Sequence, residues 1–287
     1  MKLAVGPLLY FWPRPQVFAF YRALACQPVD CVYLGEVVCS KRRALHWREW
    51  AAIARELTAA GKEVIVSTLA LIEAESQLAV LTRIAQGPVT LEANDMAAVQ
   101  LADGRPFVIG PHLNVYNGRT LRLLADLGAR RWVAPLELDS AAVAGVLADR
   151  PEPLEAEVFA YGRMPLAFSA RCFSARARRR NKDNCGFVCG EDQDGLTLFT
   201  RERQPLFALN GIQVQSAGVC NLLGSITALR AAGVQVLRLS PHSEAAVPFS
   251  QVIAAFAAAI RGDDAAQCPP HALPGGECCG LAGTAGR

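Results

Sequence analysis

Short runs rich in Val, Ile and Leu alternate with longer Ala- and Leu-rich stretches almost from end to end of the chain. Apolar runs of that length, bounded by Gly, Pro or charged residues, read as buried strands, and the stretches between them read as crossover helices. The pattern predicts strands at residues 2–6, 30–35, 63–68, 89–92, 107–110, 131–135, 155–161 and 235–239. Eight parallel strands with intervening helices close a barrel, so the expected fold class is α/β, a (β/α)8 TIM-like barrel. The clearest helix spans 45–60, where Trp47, Trp50, Ile53, Ala54 and Leu57 recur at helical spacing and Gly61 supplies the stop. Similar stretches predict helices at about 69–85, 118–127, 140–148, 217–232 and 248–260.

One unit breaks the rhythm. Between the seventh strand and its helix, an insertion over 171–216 carries Cys172, Cys185, Cys189, a basic run, and a hairpin-like pair at 196–201 and 205–211. Long insertions inside compact domains usually serve function, and in barrels the loops following strands build the mouth of the active site. The expected organisation is a barrel over 1–262 with this insertion above its mouth, followed by a Gly-, Pro- and Cys-containing tail over 263–287. The tail lacks periodicity and is expected to be loosely ordered.

Composition adds limits. Of 287 residues, 52% are hydrophobic and 19% charged, which excludes a disordered or collagen-like chain. The formal net charge of +3, from 29 basic and 26 acidic residues, is too even to make the whole surface a polyanion binder. No apolar stretch approaches the roughly 18 residues of a membrane span. The apolar opening runs into Pro13-Arg14-Pro15 with no small-residue cleavage site, and so reads as a first buried strand instead of a signal peptide. A cytoplasmic location is the expectation. Ten cysteines in so long a chain then need a purpose other than a disulfide scaffold.

Cys39 follows the second strand, and Cys172, Cys185 and Cys189 follow the seventh in C-x12-C-x3-C spacing. Around a closed ring those strands are separated only by the first and eighth, so a long loop folding over the rim can bring four thiols together. Thiolates suit zinc or an iron–sulfur cluster. Scattered buried thiols are the plain alternative, since no tight C-x2-C pair occurs. That alternative suits Cys26, Cys31 and Cys220 in their apolar helix or strand contexts, while Cys268, Cys278 and Cys279 of the tail read as fortuitous thiols.

Other polar residues gather after predicted strands: Glu36, then Glu92, Asn94 and Asp95, then His112 and Asn114, then Glu137, and finally Arg238, Ser240 and His242. Glu92, His112 and Glu137 are the acid/base candidates. Carboxylates at strand ends also cap helices or pair with arginine, and a histidine there also serves as a plain hydrogen-bonded group. The basic run Arg171, Arg176, Arg178, Arg179, Arg180 and Lys182 reads as a solvated loop, or as a site for an acidic partner, an anionic substrate or RNA. No RNA-binding motif accompanies it. Neither H-E-x-x-H nor G-x-S-x-G is present, so no proteolytic constellation is visible. The compact C-x3-C-x2-C triad of radical-SAM chemistry is also absent, as is a convincing Gly-rich nucleotide loop.

Several stretches together resemble the U32 peptidase-like family: Gly6-Pro7-Leu8-Leu9-Tyr10-Phe11-Trp12-Pro13, Tyr33-Leu34-Gly35-Glu36, Cys39-Ser40-Lys41-Arg42-Arg43, Ser67-Thr68-Leu69-Ala70-Leu71, Tyr161-Gly162, Pro165-Leu166-Ala167, Ser169-Ala170-Arg171-Cys172-Phe173, Leu209-Asn210-Gly211-Ile212-Gln213 and Leu237-Arg238-Leu239-Ser240-Pro241. Within it, the resemblance is to members of oxygen-independent ubiquinone biosynthesis, and it runs from the first strand to about Ser240. It implies a [4Fe–4S] cluster on Cys39, Cys172, Cys185 and Cys189. It also implies an iron–sulfur subunit, heterodimeric with a related UbiU-like subunit, that hydroxylates a prenylated aromatic ubiquinone precursor without O2. If every iron is held by cysteine, none is open to substrate, and the cluster is an electron carrier or a structural clasp. The alternatives are a U32-type RNA hydroxylation protein, a noncatalytic scaffold clasped by its cluster, and a zinc-clasped binding module. The chain departs from the family in carrying Gly-Gly-Glu-Cys-Cys-Gly-Leu-Ala-Gly at 275–283 where an Asn-Gly-Tyr-Trp segment is usual.

Overall fold

Parallel strands buried on both faces read as nearly continuous apolar runs, and the tetrads KLAV and CVYL are of that kind. They form β1 (Lys2–Val5) and β2 (Cys31–Leu34) of a computed structural model that describes residues 1–242 and 248–262. The ring continues through β3 (Glu63–Ser67), β4 (Thr90–Ala93), β5 (Phe107–Ile109), β6 (Ala129–Val133) and β7 (Glu155–Phe168). The strand Val236–Leu239, eleventh in chain order among the described residues and hence β11, pairs in parallel with both β1 and β7 and closes the ring. Leu237 lies opposite Leu3 on one side and Val158 on the other. The eight-stranded parallel barrel expected from the pattern is the fold.

Helices α1 (Arg14–Leu24), α2 (Trp47–Ala59), α3 (Glu75–Ala85), α4 (Met96–Ala102), α5 (Gly118–Asp126) and α6 (Ser140–Leu147) wrap the ring. Ile53, Ala54 and Leu57 of α2 are buried, as their spacing requires. Asp95, Asn117 and Asp139 cap α4, α5 and α6 by accepting backbone N–H groups at 2.7 to 2.9 Å. Such caps are each worth about 1 kcal/mol. Asp95 is thus a helix cap and not a residue of the mouth. The stretch 69–74, expected to open α3, is instead a loop over the barrel top, where the Ala70 N–H donates to Val37 O at 2.9 Å.

The insertion departs further from expectation. After a short helix, α7 (Phe173–Ala177), the expected pair appears as β8 (Leu196–Phe199) and β9 (Pro205–Asn210), but a third strand, β10 (Gln213–Asn221), follows. The helix expected at 217–232 shrinks to α8 (Ile226–Ala231), because β7 runs on past Tyr161 to Phe168 and its second half offers β10 an antiparallel partner. Cys220 accordingly sits buried in a strand. The extension has strand order β7-β10-β9-β8 and springs directly from the barrel wall. Helix α9 (Phe249–Arg261) then covers β1, with Val252, Ile253 and Phe256 buried. No helix among the described residues is long and apolar enough to cross a membrane. The tail at 263–287, with Cys268, Cys278 and Cys279, lies outside the described residues.

The barrel interior is charged as well as apolar. Arg131 reaches Glu155 at 2.6 Å, Glu63 at 2.8 Å and Glu157 at 3.6 Å. Tyr33 donates to Glu157 at 2.6 Å, and Arg238 Nε donates to the other Glu157 oxygen at 2.6 Å. Arg238 lies 4.1 Å above the Tyr33 ring and pairs with Glu92 at 2.7 Å. Buried charges persist when paired and hydrogen-bonded; the groups from Arg131 to Arg238 meet both conditions, and Glu92 at the mouth is held to Arg238 as an ion pair without hydrogen-bond geometry.

Candidate metal centre and barrel mouth

The loop after β2 begins at Gly35, whose φ is +99° and where a Cβ would stand 2.7 Å from Ser67 O, so no side chain fits. Glu36 then turns inward, and one of its oxygens accepts the N–H groups of Val38 at 2.9 Å and Cys39 at 3.1 Å. Burial pushes its carboxyl up to about 7 despite the opposing pull of Arg42. Glu36 therefore shapes the loop that carries Cys39. Cys172 is the N-cap of α7 and accepts the Ala175 N–H at 3.4 Å, while Cys185 precedes the single turn Val188–Gly190 and Cys189 lies within it.

All four thiols line one pocket, together with Lys41, Arg42, Lys182, Phe187, Val188 and Gly211. Burial pushes the thiols of Cys39, Cys172 and Cys189 up, Arg42 pulls each back, and each feels at least one of the other three sulfurs. Arg42 is buried and donates to Leu9 O at 2.8 Å and Asn210 Oδ1 at 2.6 Å, and it is hydrogen-bonded toward Cys189. Gly211 accommodates it: at a φ of +67°, a Cβ would stand 2.7 Å from Arg42 Nη2. Lys41 donates to Lys182 O at 2.8 Å and pairs with Asp183 at 3.4 Å, and Lys182 pairs with Glu73. Arg178 is tied to Glu191 and Asp192, so part of the basic run is consumed in holding the insertion together.

Among the described residues, no three His, Cys, Asp or Glu side chains are grouped to hold one metal ion. Tetrahedral zinc at a Zn–S distance of about 2.3 Å needs sulfurs only roughly 3.8 Å apart. Four cysteines around a shared pocket, with three basic side chains among them, fit a larger thiophilic group whose negative charge those cations offset. The residues present therefore suit a cuboidal iron–sulfur cluster.

A second pocket lies at the barrel mouth, lined by Glu92, Asn94, His112, Arg238 and Ser240 with Leu9, Val37, Phe159 and Pro165. Asn94 donates to Thr68 O at 3.0 Å and packs on Gly110, while its own Oδ1 has no hydrogen-bond partner. His112 meets the edge of Phe168 at 4.7 Å between ring centres, and burial pulls its imidazole down to about 4, leaving it neutral at neutral pH. Glu92 and His112 thus share the mouth. Glu137 does not: it is exposed and accepts only from Tyr116, at 3.4 Å. Asn114 is exposed in a left-handed turn.

One apolar cluster reaches both pockets. Leu9 and Val37 line the mouth and also belong to the apolar cluster that holds Cys172, with Cys39, Cys185 and Phe168 packed against it. Sequence reasoning found the thiols but gave no role to Arg42, which appeared only as part of a motif. Its signal was position, three residues beyond Cys39 on the same loop.

A profile of peptidase family U32 matches residues 18–271. Among solved structures, the U32 peptidase Mk0906 is similar over 85% of this chain and 94% of that one, at 12% identity and a TM-score of 0.48. A cube-shaped protein cage designed by fusing symmetric oligomeric domains is similar over 93% of this chain and 74% of that one, at 11% identity and a TM-score of 0.48. A phospho-2-dehydro-3-deoxyheptonate aldolase from Thermotoga maritima covers 91% of this chain and 68% of its own, at 9% identity and a TM-score of 0.37.

Proposed function

The chain belongs to peptidase family U32, and from that premise we propose that it is the iron–sulfur subunit of an oxygen-independent hydroxylase in anaerobic ubiquinone biosynthesis, similar to UbiV. The observation that carries this reading is the pocket lined by four cysteines and three basic side chains, joined to the mouth by one apolar cluster. Cys39, Cys172, Cys185 and Cys189 would hold a [4Fe–4S] cluster, which when bound supplies one-electron transfer. Arg42, Lys41 and Lys182 offset its charge. At the mouth, the unpartnered Asn94 Oδ1 is an acceptor for a hydroxyl on the substrate ring, and neutral His112 is able to take a proton. Leu9, Val37 and Phe159 exclude water and suit an aromatic ring. A hydroxylase subunit is preferred to a peptidase because the sequence holds neither H-E-x-x-H nor G-x-S-x-G. The partner in this reading is a UbiU-like subunit, and the substrate is a prenylated aromatic precursor of ubiquinone.

Anaerobic purification with that partner tests the reading. Brown protein with comparable iron and sulfide is expected; colourless protein with stoichiometric zinc overturns it. Deleting the gene alone should abolish ubiquinone formation only in anaerobic growth. Normal anaerobic ubiquinone with defective RNA hydroxylation would transfer the assignment to the RNA-modifying alternative.

A further inference from the structure

β8 ends the sheet: it pairs with β9 and has no second neighbour among the described residues. The hairpin that joins the two strands has an unusual tip. Phe199 is 60% exposed, Leu206 is 48% exposed and Leu198 is 38% exposed, and all three flank the turn at 200–204. Isolated exposed hydrophobic side chains are ordinary; here Phe199 and Leu206 stand beside one turn, while Leu198 points to the opposite face of its strand from Phe199. Within the turn, Arg201 and Arg203 are exposed and have no ion pair among the described residues, while the Glu202 carboxylate is held by its own backbone N–H and the Thr200 hydroxyl. Native edge strands are commonly blunted by charge, Pro or cover. Here the strand LTLF carries no charge, and the cations stand beyond it.

The charge distribution points the same way. Residues 171–206 hold eight basic and five acidic side chains, so this one segment carries the whole formal charge of +3 and the rest of the chain is neutral. The ion pairs from Arg178 to Glu191 and Asp192 bring the basic run beside the approach to β8. Base and tip of the hairpin are then separated by four strand residues, about 14 Å. An aromatic and an aliphatic side chain at an apex, flanked by arginines whose stems run along apolar surface, is the chemistry of a lipid interface. A protein partner would be expected to cover the flat strand face, whereas an apex suits a surface that yields.

We propose that the β8–β9 hairpin tip, through Phe199, Leu206, Arg201 and Arg203, docks the protein reversibly on an anionic lipid bilayer. Few cations and little apolar area make the contact weak and salt-sensitive. The inference does not depend on the metal pocket, although a prenylated substrate would be met at such a surface.

Cosedimentation of the full chain with sucrose-loaded vesicles is the test. Pelleting is expected with phosphatidylglycerol-containing vesicles, not with pure phosphatidylcholine, and it should fall as salt rises. The double variants Phe199→Ser with Leu206→Ser, and Arg201→Gln with Arg203→Gln, should each weaken binding by roughly tenfold with an unchanged thermal melt. Phe199→Trp should add a blue-shifted emission only on anionic vesicles. No pelleting of the native chain overturns the proposal without recourse to any variant. So does undiminished binding by a folded Ser variant.

Discussion

Two carboxylates, one at the end of the fourth strand and one after the sixth, meet different fates. Glu92 is fully buried and paired with Arg238, whereas Glu137 is exposed. Breaking a buried pair leaves an uncompensated charge and costs about 3–5 kcal/mol, although here Arg238 keeps Glu157 and the loss should sit near the lower figure. Glu137→Gln should stay within about 0.5 kcal/mol of the parent. Urea unfolding of Glu92→Gln and Glu137→Gln checks this, and equal effects would show that the Glu92–Arg238 pair contributes nothing to stability. His112 gives a pH signature. Burial pulls its folded value to about 4 from a usual 6.5, so between those values the unfolded chain binds the proton and the folded protein does not. Stability attributable to the neutral ring is complete above about pH 6.5 and is lost as pH falls toward 4. The stability difference between parent and His112→Asn should therefore shift by roughly 3 kcal/mol across that window, against the parent at the acid end. A difference independent of pH would mean that the ring is solvated in the folded state.

At the scale of elements, the barrel was readable because strands buried on both faces keep their apolar runs unbroken: CVYL in β2, VIV in β3 and FVI in β5 announce themselves. β10 did not. Its sequence, QVQSAGVCN, mixes polar and small residues because its Gln side chains at 213 and 215 turn into a buried polar environment, so its Ala and Val contributed to a false helical period. Its true signal was long-range, the antiparallel partner in the second half of β7, which local pattern does not contain. The thiol site was readable through the order of strands around a ring, while Arg42 was not, since nothing local distinguishes a buried arginine from a solvated one. The turn between β9 and β10 makes that arginine's placement testable. Gly211 has a left-handed φ, and a Cβ there would stand 2.7 Å from Arg42 Nη2, whereas a Cβ on Gly61, with a φ of +79°, would meet nothing within 4 Å. Gly211→Ala should cost about 1 kcal/mol for its backbone plus a further 1–3 kcal/mol for crowding, and Gly61→Ala only the backbone part. Matching losses in thermal melts would indicate that Arg42 moves aside freely.

Over the whole molecule, the insertion is joined to the barrel in two ways of different character. One is the continuous ladder from β7 through β10 to β9 and β8, which forms with the barrel itself. The other is the thiol pocket, where Cys39 of the β2 loop faces three cysteines of the insertion, supported by the exposed pairs Lys41–Asp183 and Lys182–Glu73. Exposed ion pairs are worth about 0–1 kcal/mol each, too little to hold the chain between α7 and β8 alone. A bound group gripped from both sides would supply the remainder, because binding to the assembled pocket stabilises only that arrangement. Removing iron with a chelator should therefore open the segment 178–195 to protease while the β-ladder and barrel stay resistant, and anaerobic reconstitution with iron and sulfide should close it again. Cys39→Ser should show the open pattern from the start, together with weaker iron retention, since it cuts the one sulfur supplied by the β2 loop. Cleavage that is identical with and without iron would show that the pocket does not clasp the insertion, and iron retention unaffected by Cys39→Ser would remove that residue from the ligand set.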